Sequence, residues 1–392
     1  MRMLIDSVTV GSGGMLQLRD ELSRAAARQA PERSSVVLLA ASSTGELPPS
    51  DNLTIVPVEK PKWGWGGRWW WYNRTLPRLA RQYEADVVYS LSGILTARAR
   101  RDMASITTVN NMIPFSPAEM KRFPLLSGAR LRFTLLRRLY AKSLRRADSV
   151  VLHSQHALRL VTPRTGDISK KTFVALPGVP SDVNRVPPTA VRPPHGGRPY
   201  LLYLSAFFPY KNHFRLIEGY KKSLEIEPDL PDLLLAGPPL DRIYFQAVMK
   251  AVADLGLGTR IRHVGILSRL EIPAWISNAV INIFASTCET NPLTVGEVLA
   301  LGGVLACSNS APMPEIAGDS AGYFDPYSAD SISETMVGLF RDQARRLALQ
   351  ERGRNRAAQF SWDDCGTQIW RAALAARANY EERKPRIRQS SA

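Results

Sequence analysis

The chain has 392 residues, of which 45% are hydrophobic and 22% are charged. This length suits two domains of ordinary size, and this composition excludes an intrinsically disordered chain. No apolar run approaches the ~20 residues that cross a bilayer, so we expect no transmembrane helix. The three cysteines, Cys288, Cys307 and Cys365, lack metal-ligand spacing, which favours buried thiols in a reducing compartment over disulfides.

Apolar segments alternate with helical ones along residues 1–187, and Asp6 interrupts the first of them too early for a signal peptide. This alternation predicts a first domain with a parallel sheet covered on both faces. The predicted strands are Leu4–Val10, Ser35–Ala41, Leu53–Val58, Asp86–Leu91, Ile106–Val109, Ser149–His153 and Thr172–Leu176. The predicted helices are Leu16–Arg28, Trp69–Tyr83, Gly128–Arg146 and Gln155–Val161.

The first half of the chain also carries nearly all of the net charge of +16. Residues 1–190 contain 28 Lys and Arg against 14 Asp and Glu, whereas the remainder contains 23 against 21. The excess is greatest in residues 121–146, where nine basic residues and no acidic one alternate with leucines at helical spacing. We favour docking of this helix on an anionic membrane surface. A helix packed on its domain with a solvated basic face, or a nucleic-acid contact, would give the same pattern.

Five of the eight tryptophans lie between Trp63 and Trp71. We expect Trp70 and Trp71 to be buried in a helix. Trp63 and Trp65, in a glycine-rich loop, are candidates for a membrane-interface or sugar-stacking surface.

A segment rich in Pro and Gly, residues 183–199, predicts a linker, and the strand–helix pattern then repeats in a second domain, 188–362. A last helix is expected over 363–381, followed by a disordered tail, 382–392. The predicted strands are Tyr200–Leu204, Asp232–Ala236, Ile261–Val264, Val280–Phe284 and Val304–Ser308. The predicted helices include His213–Ile226, Asp241–Leu255 and Arg269–Ser277.

Two carboxylates, Glu289 and Glu297, lie eight positions apart after the strand at 280–284. Glu289 lies in a turn, and Glu297 lies one turn inside the helix predicted over 295–301. Because a helix N-terminus presents free N–H groups and a partial positive charge, this helix suits a phosphate. Glu297 can accept two hydrogen bonds from a ribose diol, and Glu289 can reach the next group of a bound nucleotide sugar.

This segment and its flanks resemble the signature of family 4 glycosyltransferases. The matching features are the E-x7-E spacing, a strand–loop segment that ends in Lys211 and Asn212, the Pro-Glu-Ile-Ala-Gly turn at 314–318, and a closing Asp-Pro at 325–326. Members are retaining enzymes of the GT-B fold, in which two doubly wound Rossmann-like α/β domains face each other across a cleft. The resemblance also implies that the last helix crosses back to the first domain.

For the donor, the resemblance implies that Glu289 acts on the sugar and Lys211 neutralises the departing diphosphate. The family often has an arginine where this chain has Ala206, so one of two usual phosphate cations is missing. The implied donor-binding residues are Glu297, Thr294, Val295, Leu293, Gly265, Ser205, Gly13 and Gly14. The two glycines are also compatible with a plain tight turn after the first strand.

The resemblance places Asn110, Asn111 and Ser154 on the acceptor or sugar side. Many relatives have His-Asp at the positions of Asn110 and Asn111. Since asparagine does not titrate near neutral pH, no histidine general base is expected there. The chain contains no Asp-x-Asp pair of the kind that holds a divalent ion on a diphosphate, so we predict no metal and no cofactor.

We therefore predict a metal-independent hexosyltransferase for cell-surface polysaccharide synthesis. It would move a sugar from a nucleotide diphosphate sugar to a glycan or lipid-linked acceptor with retention. We expect it in the cytoplasm, peripheral on the inner face of the membrane, with no nucleic-acid partner. The alternatives are a GT-B epimerase or phosphorylase, a non-catalytic GT-B binding module, and a basic nucleic-acid binder.

Overall fold

The computed structural model describes residues 1–10, 14–42, 50–60, 64–96, 102–179 and 194–389. The chain divides into two units, Met1–Gly178 with Ser361–Ala392, and Val179–Phe360. The boundary that we expected between residues 187 and 188 lies outside the described residues.

The first unit is built on a parallel sheet. Its strands are β1 (Arg2–Asp6), β2 (Ser35–Ala41), β3 (Leu53–Val58), β4 (Val87–Ser90), β5 (Ala104–Thr107), β6 (Ser149–Leu152) and β7 (Thr172–Val174). Within the described residues these seven strands are ordered β3-β2-β1-β4-β5-β6-β7, and every pairing between them is parallel. Because β4, β5 and β6 are buried along their whole length, both faces of the sheet are covered.

Helices connect these strands. They are α1 (Gly14–Arg28), α2 (Gly64–Trp70), α3 (Leu76–Gln82), α4 (Pro117–Lys121), α5 (Gly128–Arg146) and α6 (Gln155–Thr165). A π-helical turn, Trp71–Thr75, joins α2 to α3. Trp71 is buried as expected, but Trp70 is 58% exposed, so the expectation that it lies in the core is wrong. At helical spacing, adjacent residues point in directions about 100° apart, and this helix buries only one of the two.

The C-terminal helix (Trp362–Gln389) belongs to the first unit. It contacts α1, β5 and β6, where Trp370 Nε1 donates a hydrogen bond to the Ala26 carbonyl at 2.6 Å. The guanidinium of Arg383 donates two hydrogen bonds, of 2.5 and 2.8 Å, to the buried carboxylate of Asp148. Residues 382–389, where a disordered tail was expected, continue this helix in the structure. A tertiary ion pair, which local composition does not reveal, anchors that region.

The second unit repeats the architecture. Its strands are β8 (Tyr200–Leu204), β9 (Asp232–Ala236), β10 (Ile261–His263), β11 (Ile281–Phe284), β12 (Leu305–Ser308) and β13 (Gly322–Phe324). In the part of this unit that the structure describes, the order is β10-β9-β8-β11-β12-β13, again with parallel pairings. Each unit is therefore a doubly wound, Rossmann-like α/β domain, as the sequence predicted.

The helices of the second unit include several that the sequence did not predict. They are α7 (His213–Ile226), α8 (Arg242–Asp254), α9 (Ile272–Asn278), α10 (Leu293–Ala300), α11 (Met313–Ala317), α12 (Ala329–Arg341) and α13 (Gln343–Ala357). The unpredicted elements are α11, α12, α13 and β13. The Pro-Glu-Ile-Ala-Gly segment forms α11 and ends at Gly318, whose φ of 56° favours glycine.

Candidate functional site

The expected donor residues gather at one end of the second sheet. Parallel strands bring their carboxyl ends to the same edge, where ligands of doubly wound sheets bind. The loops that follow β8, β10 and β11, with the start of α10, carry Ser205, Lys211, Gly265, Glu289, Leu293, Thr294, Val295 and Glu297.

Lys211 supplies a positive charge at this edge of the sheet. It ends a short 3₁₀ turn, Pro209–Lys211, and its carbonyl accepts a hydrogen bond from the Tyr203 hydroxyl at 2.5 Å. The ammonium lies 5.2 Å from the ring centroid of Tyr210 and 5.4 Å from that of Phe284. These contacts hold the backbone of Lys211 at one end and its ammonium at the other, so the ammonium is preorganised.

The two residues expected to be catalytic contact each other. Lys211 Nζ donates a hydrogen bond to Glu289 Oε1 at 2.5 Å, and both side chains are largely buried. Burial by itself lowers the pKa of Lys211, but attraction to Glu289, and to Tyr210 and Cys288, raises it above its ordinary value. The lysine is therefore a permanent cation at neutral pH, next to a carboxylate.

Helix α10 supplies the second carboxylate. Its N-cap is Pro292, with no side-chain capping hydrogen bond, which suits the helix start to an external anion. Val295, one of the expected donor contacts, is fully buried in the structure. Glu297 has a side chain only 3% exposed, and its Oε1 accepts a hydrogen bond from Arg269 Nη1 at 2.8 Å. The sequence analysis did not include Arg269 in the site.

Gly237, at the end of β9, is a second residue that the sequence analysis missed. Its φ is 143°, and a Cβ there would lie 2.1 Å from the Ser205 carbonyl oxygen. Its N–H donates to the carbonyl of Gly265 at 2.8 Å. Only glycine allows the loops after β8 and β10 to approach so closely, and a glycine directly after a predicted strand was the available signal.

In the first unit, the expected acceptor-side residues have structural partners. Asn110 Nδ2 donates to the Leu91 carbonyl at 3.1 Å, and Asn111 Oδ1 accepts from the Ile113 N–H at 3.1 Å. Ser154 Oγ caps α6 by accepting from the Ala157 N–H at 3.1 Å. Gly14 begins α1, whereas Gly13 lies outside the described residues. The acceptor-side assignments therefore stay predictions.

The chain matches the models of two known protein families. The model for glycosyl transferases group 1 matches residues 190–356, and the model for Glycosyltransferase Family 4 matches residues 13–183. The chain is a family 4, group 1 glycosyltransferase. The first match contains Lys211, Glu289 and Glu297, together with Arg269.

This family 4 glycosyltransferase has a curated relative in O-antigen chain mannosyltransferase B of Escherichia coli. The two are 30% identical over 175 residues, which are 43% of this chain and 44% of the relative. The match thus spans less than half the length of that mannosyltransferase.

Solved structures show the same fold over nearly the whole chain. Sucrose-phosphate synthase from Thermosynechococcus elongatus has a TM-score of 0.74 at 16% identity, covering 96% of this chain and 100% of the other. Anabaena HepE in complex with UDP and glucose has a TM-score of 0.69 at 16% identity, with the same coverage. At such low identity these likenesses establish the fold, which is GT-B.

Helix α5 has one exposed face that combines leucines and cations. Leu131, Leu135, Arg138 and Lys142 are exposed at spacings of three or four residues, with Leu131 72% exposed, and are called the α5 stripe below. The opposite face buries Phe133, Leu136 and Leu144. The expectation of an amphipathic basic helix is therefore correct, although only some of the leucines are exposed.

Arg68 of the tryptophan helix α2 lies within electrostatic range of Tyr140 on α5. Burial raises the pKa of Tyr140, on α5, and the positive charges of Arg68, on α2, and Arg132 oppose this rise. Trp69 and Trp70 of α2 are exposed, and the guanidinium of Arg74 lies 5.8 Å from the Trp70 ring centroid. Aromatic, aliphatic and cationic side chains thus occupy neighbouring elements of the first unit.

No helix in the described residues is both long and apolar enough to cross a bilayer. No group of three or more His, Cys, Asp or Glu side chains in that part of the chain is arranged to hold a metal ion.

Proposed function

We propose that this protein is a retaining hexosyltransferase that uses a nucleotide diphosphate sugar as donor and a glycan or lipid-linked acceptor. The observation that carries the proposal is the Lys211–Glu289 pair beside the start of α10, with Glu297 one turn inside that helix. The cation of Lys211 and the N-terminus of α10 match the diphosphate of a donor and its leaving oxygen. The carboxylate of Glu297 matches the ribose of the same donor.

In the proposed reaction, the bond between the anomeric carbon and the diphosphate oxygen breaks, and a bond to the acceptor oxygen forms on the same face. The acceptor proton passes to the departing diphosphate. Lys211 neutralises the charge that develops on that diphosphate, which is where electrostatic catalysis helps most. Asn110 and Asn111 cannot act as bases, which supports a mechanism without a protein general base.

The relatives support the substrate classes. One is named as an O-antigen chain mannosyltransferase, and HepE is described in complex with UDP and glucose. A hexose donor and a growing cell-surface polysaccharide are therefore proposed here. Because the chain has no Asp-x-Asp, we propose that transfer needs no metal and no cofactor.

The test is an acceptor-dependent assay of nucleoside diphosphate release with UDP-, GDP-, ADP- and TDP-hexoses, with the product anomer determined by NMR. Release that depends on the acceptor, persists in EDTA and preserves the anomeric configuration supports the proposal. Conversion of the donor without acceptor would indicate an epimerase. Phosphate-dependent cleavage of a glycan would indicate a phosphorylase, and binding without turnover would indicate a non-catalytic module.

We also propose that the protein is cytoplasmic and peripheral on the inner face of the membrane, docked through the α5 stripe. The stripe exposes leucines next to cations, and the neighbouring helix exposes Trp69 and Trp70. Cations attract anionic headgroups, while leucine and tryptophan favour the headgroup boundary. Docking there would hold the enzyme beside a lipid-linked acceptor.

A further inference from the structure

Arg269 lies against the carboxylate to which we assign the ribose. Its side chain is 37% exposed, whereas that of Glu297 is 3% exposed, and the two are joined by the 2.8 Å hydrogen bond. A buried carboxylate needs a cation or several donors to remain charged, because burial removes its hydration. The exposed guanidinium supplies one such partner from the solvent side.

The loop that carries Arg269 is ordered by other contacts. The Gly265 carbonyl accepts from Gly237, the Ser268 N–H donates to Glu271 Oε2 at 2.9 Å, and the Ile272 N–H donates to the Ser268 carbonyl at 3.2 Å. These bonds involve no side-chain atom of Arg269. These hydrogen bonds would remain after replacement of the Arg269 side chain, whereas the contact with Glu297 would change.

The loop also begins at the edge where the base would lie. Gly265 is among the expected donor contacts, and Ile266 and Leu270 on either side of Arg269 are exposed. A carboxylate has more than one lone-pair site on each oxygen, so Glu297 can accept from Arg269 and from a diol together. The geometry thus links the loop after β10 to the ribose-binding carboxylate.

We infer that Arg269 is a positioning residue for the nucleoside half of the donor: it fixes the charge and direction of the Glu297 carboxylate so that the carboxylate accepts both ribose hydroxyls. This inference rests on the proposed function, because it needs Glu297 to bind a ribose. It assigns the guanidinium to ribose recognition, not to the phosphate position left open by Ala206.

The experiment measures, by calorimetry, the binding of whichever of UDP, GDP and ADP binds tightest, and of its 2′,3′-dideoxy analogue. Arg269→Gln should weaken binding of the ribonucleotide at least about tenfold, the scale of one charge-assisted hydrogen bond. It should change binding of the dideoxy analogue by less than about threefold. Arg269→Lys, which restores the positive charge, should recover most of the loss.

Arg262→Gln is the matched control. Arg262 lies on β10, is 46% exposed and donates to Asp232 at 3.4 Å, so the control removes the same kind of group from a carboxylate outside the site. It should leave both affinities unchanged. Equal weakening of ribonucleotide and dideoxy analogue by Arg269→Gln would overturn the inference, as would a lysine variant no better than glutamine.

The proposed function fails in a different way. If the native protein binds none of UDP, GDP and ADP, it has no ribonucleotide site, and the inference falls whether or not TDP binds; if TDP does not bind either, the proposed donor site itself is wrong. If the native protein binds a ribonucleotide but does not prefer it over the dideoxy analogue, the ribose role of Glu297 and this inference fail while nucleotide binding stands.

Discussion

Lys211 carries the electrostatic part of the proposed chemistry, and its replacement is the first prediction. Lys211→Ala should reduce turnover by roughly 10²–10³, the effect of losing one preorganised electrostatic donor. We expect a reduction of about 10³ because Ala206 stands where many family members have a second cation, an arginine. Initial rates at saturating donor measure this. Lys222→Ala, which removes an exposed lysine paired with Asp330, is the control and should leave turnover unchanged.

Replacement of Glu297 and replacement of Glu289 should have different effects on nucleotide binding and on turnover. Glu297→Gln should weaken binding of the free nucleoside diphosphate about tenfold to hundredfold, because an ionised acceptor of two hydrogen bonds is lost. Glu289→Gln should leave that affinity nearly unchanged and depress turnover, since we propose that Glu289 acts on the sugar. Calorimetry and steady-state rates on both variants decide this. Parallel losses in affinity and turnover for Glu289→Gln would reverse our assignment.

Asp6 predicts a pH dependence of stability. It lies at the end of β1 with no solvent exposure, and burial raises its pKa from 3.8 to about 6, opposed by the Val8 N–H and by Trp71. A raised carboxyl pKa means that the folded state binds more protons between these values. Its contribution to stability is therefore complete below about pH 4 and is lost as the pH rises through about 6.

Asp6→Asn, which mimics the protonated acid, should consequently stabilise the protein at about pH 7.5 by up to about 3 kcal/mol. The gain should nearly vanish at about pH 4. Thermal unfolding of both proteins across this range is the measurement. A variant that is no more stable than the native protein at the higher pH would show that the buried carboxylate is not penalised.

At the scale of elements, the sequence predicted strands and helices where local patterns and burial agree. β2, β3, β8, β9, α5 and α7 have the predicted bounds, because apolar runs or helical periodicity stop at clear turn signals. Among the elements missed after β12, α13 has a weak signal. Helix α13, Gln343–Ala357, is mostly polar and buries only Leu349, Gly353 and Ala357, so periodicity barely marks it.

The end of the C-terminal helix gives a prediction of its own. Arg383→Ala should destabilise the first unit by about 3 kcal/mol, the low end for breaking a buried ion pair. Among the described residues, Ser105 would remain as a donor to the buried Asp148 carboxylate, through its N–H at 2.9 Å and its hydroxyl at 2.7 Å. Thermal or denaturant unfolding measures the change.

Arg377→Ala is the control on the same helix. Arg377 is half exposed and lies 3.6 Å from Asp86, so its loss should cost less than about 1 kcal/mol. Equal destabilisation by the two variants would mean that the ion pair at Asp148 does not anchor the helix end.

At the scale of the whole molecule, the sequence predicted a site from residues far apart in the chain. Lys211, Glu289 and Glu297 could be found because they belong to segments that resemble the family signature, and parallel sheets collect loops that follow their strands at one edge. Arg269 and Gly237 could not be assigned in this way. Arg269 lies in a segment with Ile266 and Leu270 and has no distinguishing pattern. A glycine directly after a predicted strand is only a weak signal for Gly237, because the need for it arises where two loops approach each other.

The separation of charge between the two halves of the chain leads to the last prediction. The protein should pellet with vesicles that contain anionic lipid at low salt and much less with neutral vesicles. Each basic residue near such a surface contributes about 1 kcal/mol, and salt screens this within about 10 Å. Arg138→Glu with Lys142→Glu should abolish pelleting, because the α5 stripe then repels the surface. Leu131→Ser with Leu135→Ser should remove the part that survives high salt.

The matched control reverses two exposed arginines of α13 in the second unit, Arg345→Glu with Arg352→Glu. It changes the net charge by the same amount, so it should keep native pelleting if the stripe is the docking surface and lose it if net charge alone attracts the protein. All variants should bind nucleoside diphosphate as the native protein does, because the changed residues lie outside the donor site. Native-like pelleting of the stripe variant would leave α5 an ordinary helix with a solvated basic face. Loss of pelleting confined to the stripe variant would show that the basic residues of α5 bind the anionic surface. The excess positive charge would then serve to hold the enzyme close to acceptors that stay in the membrane.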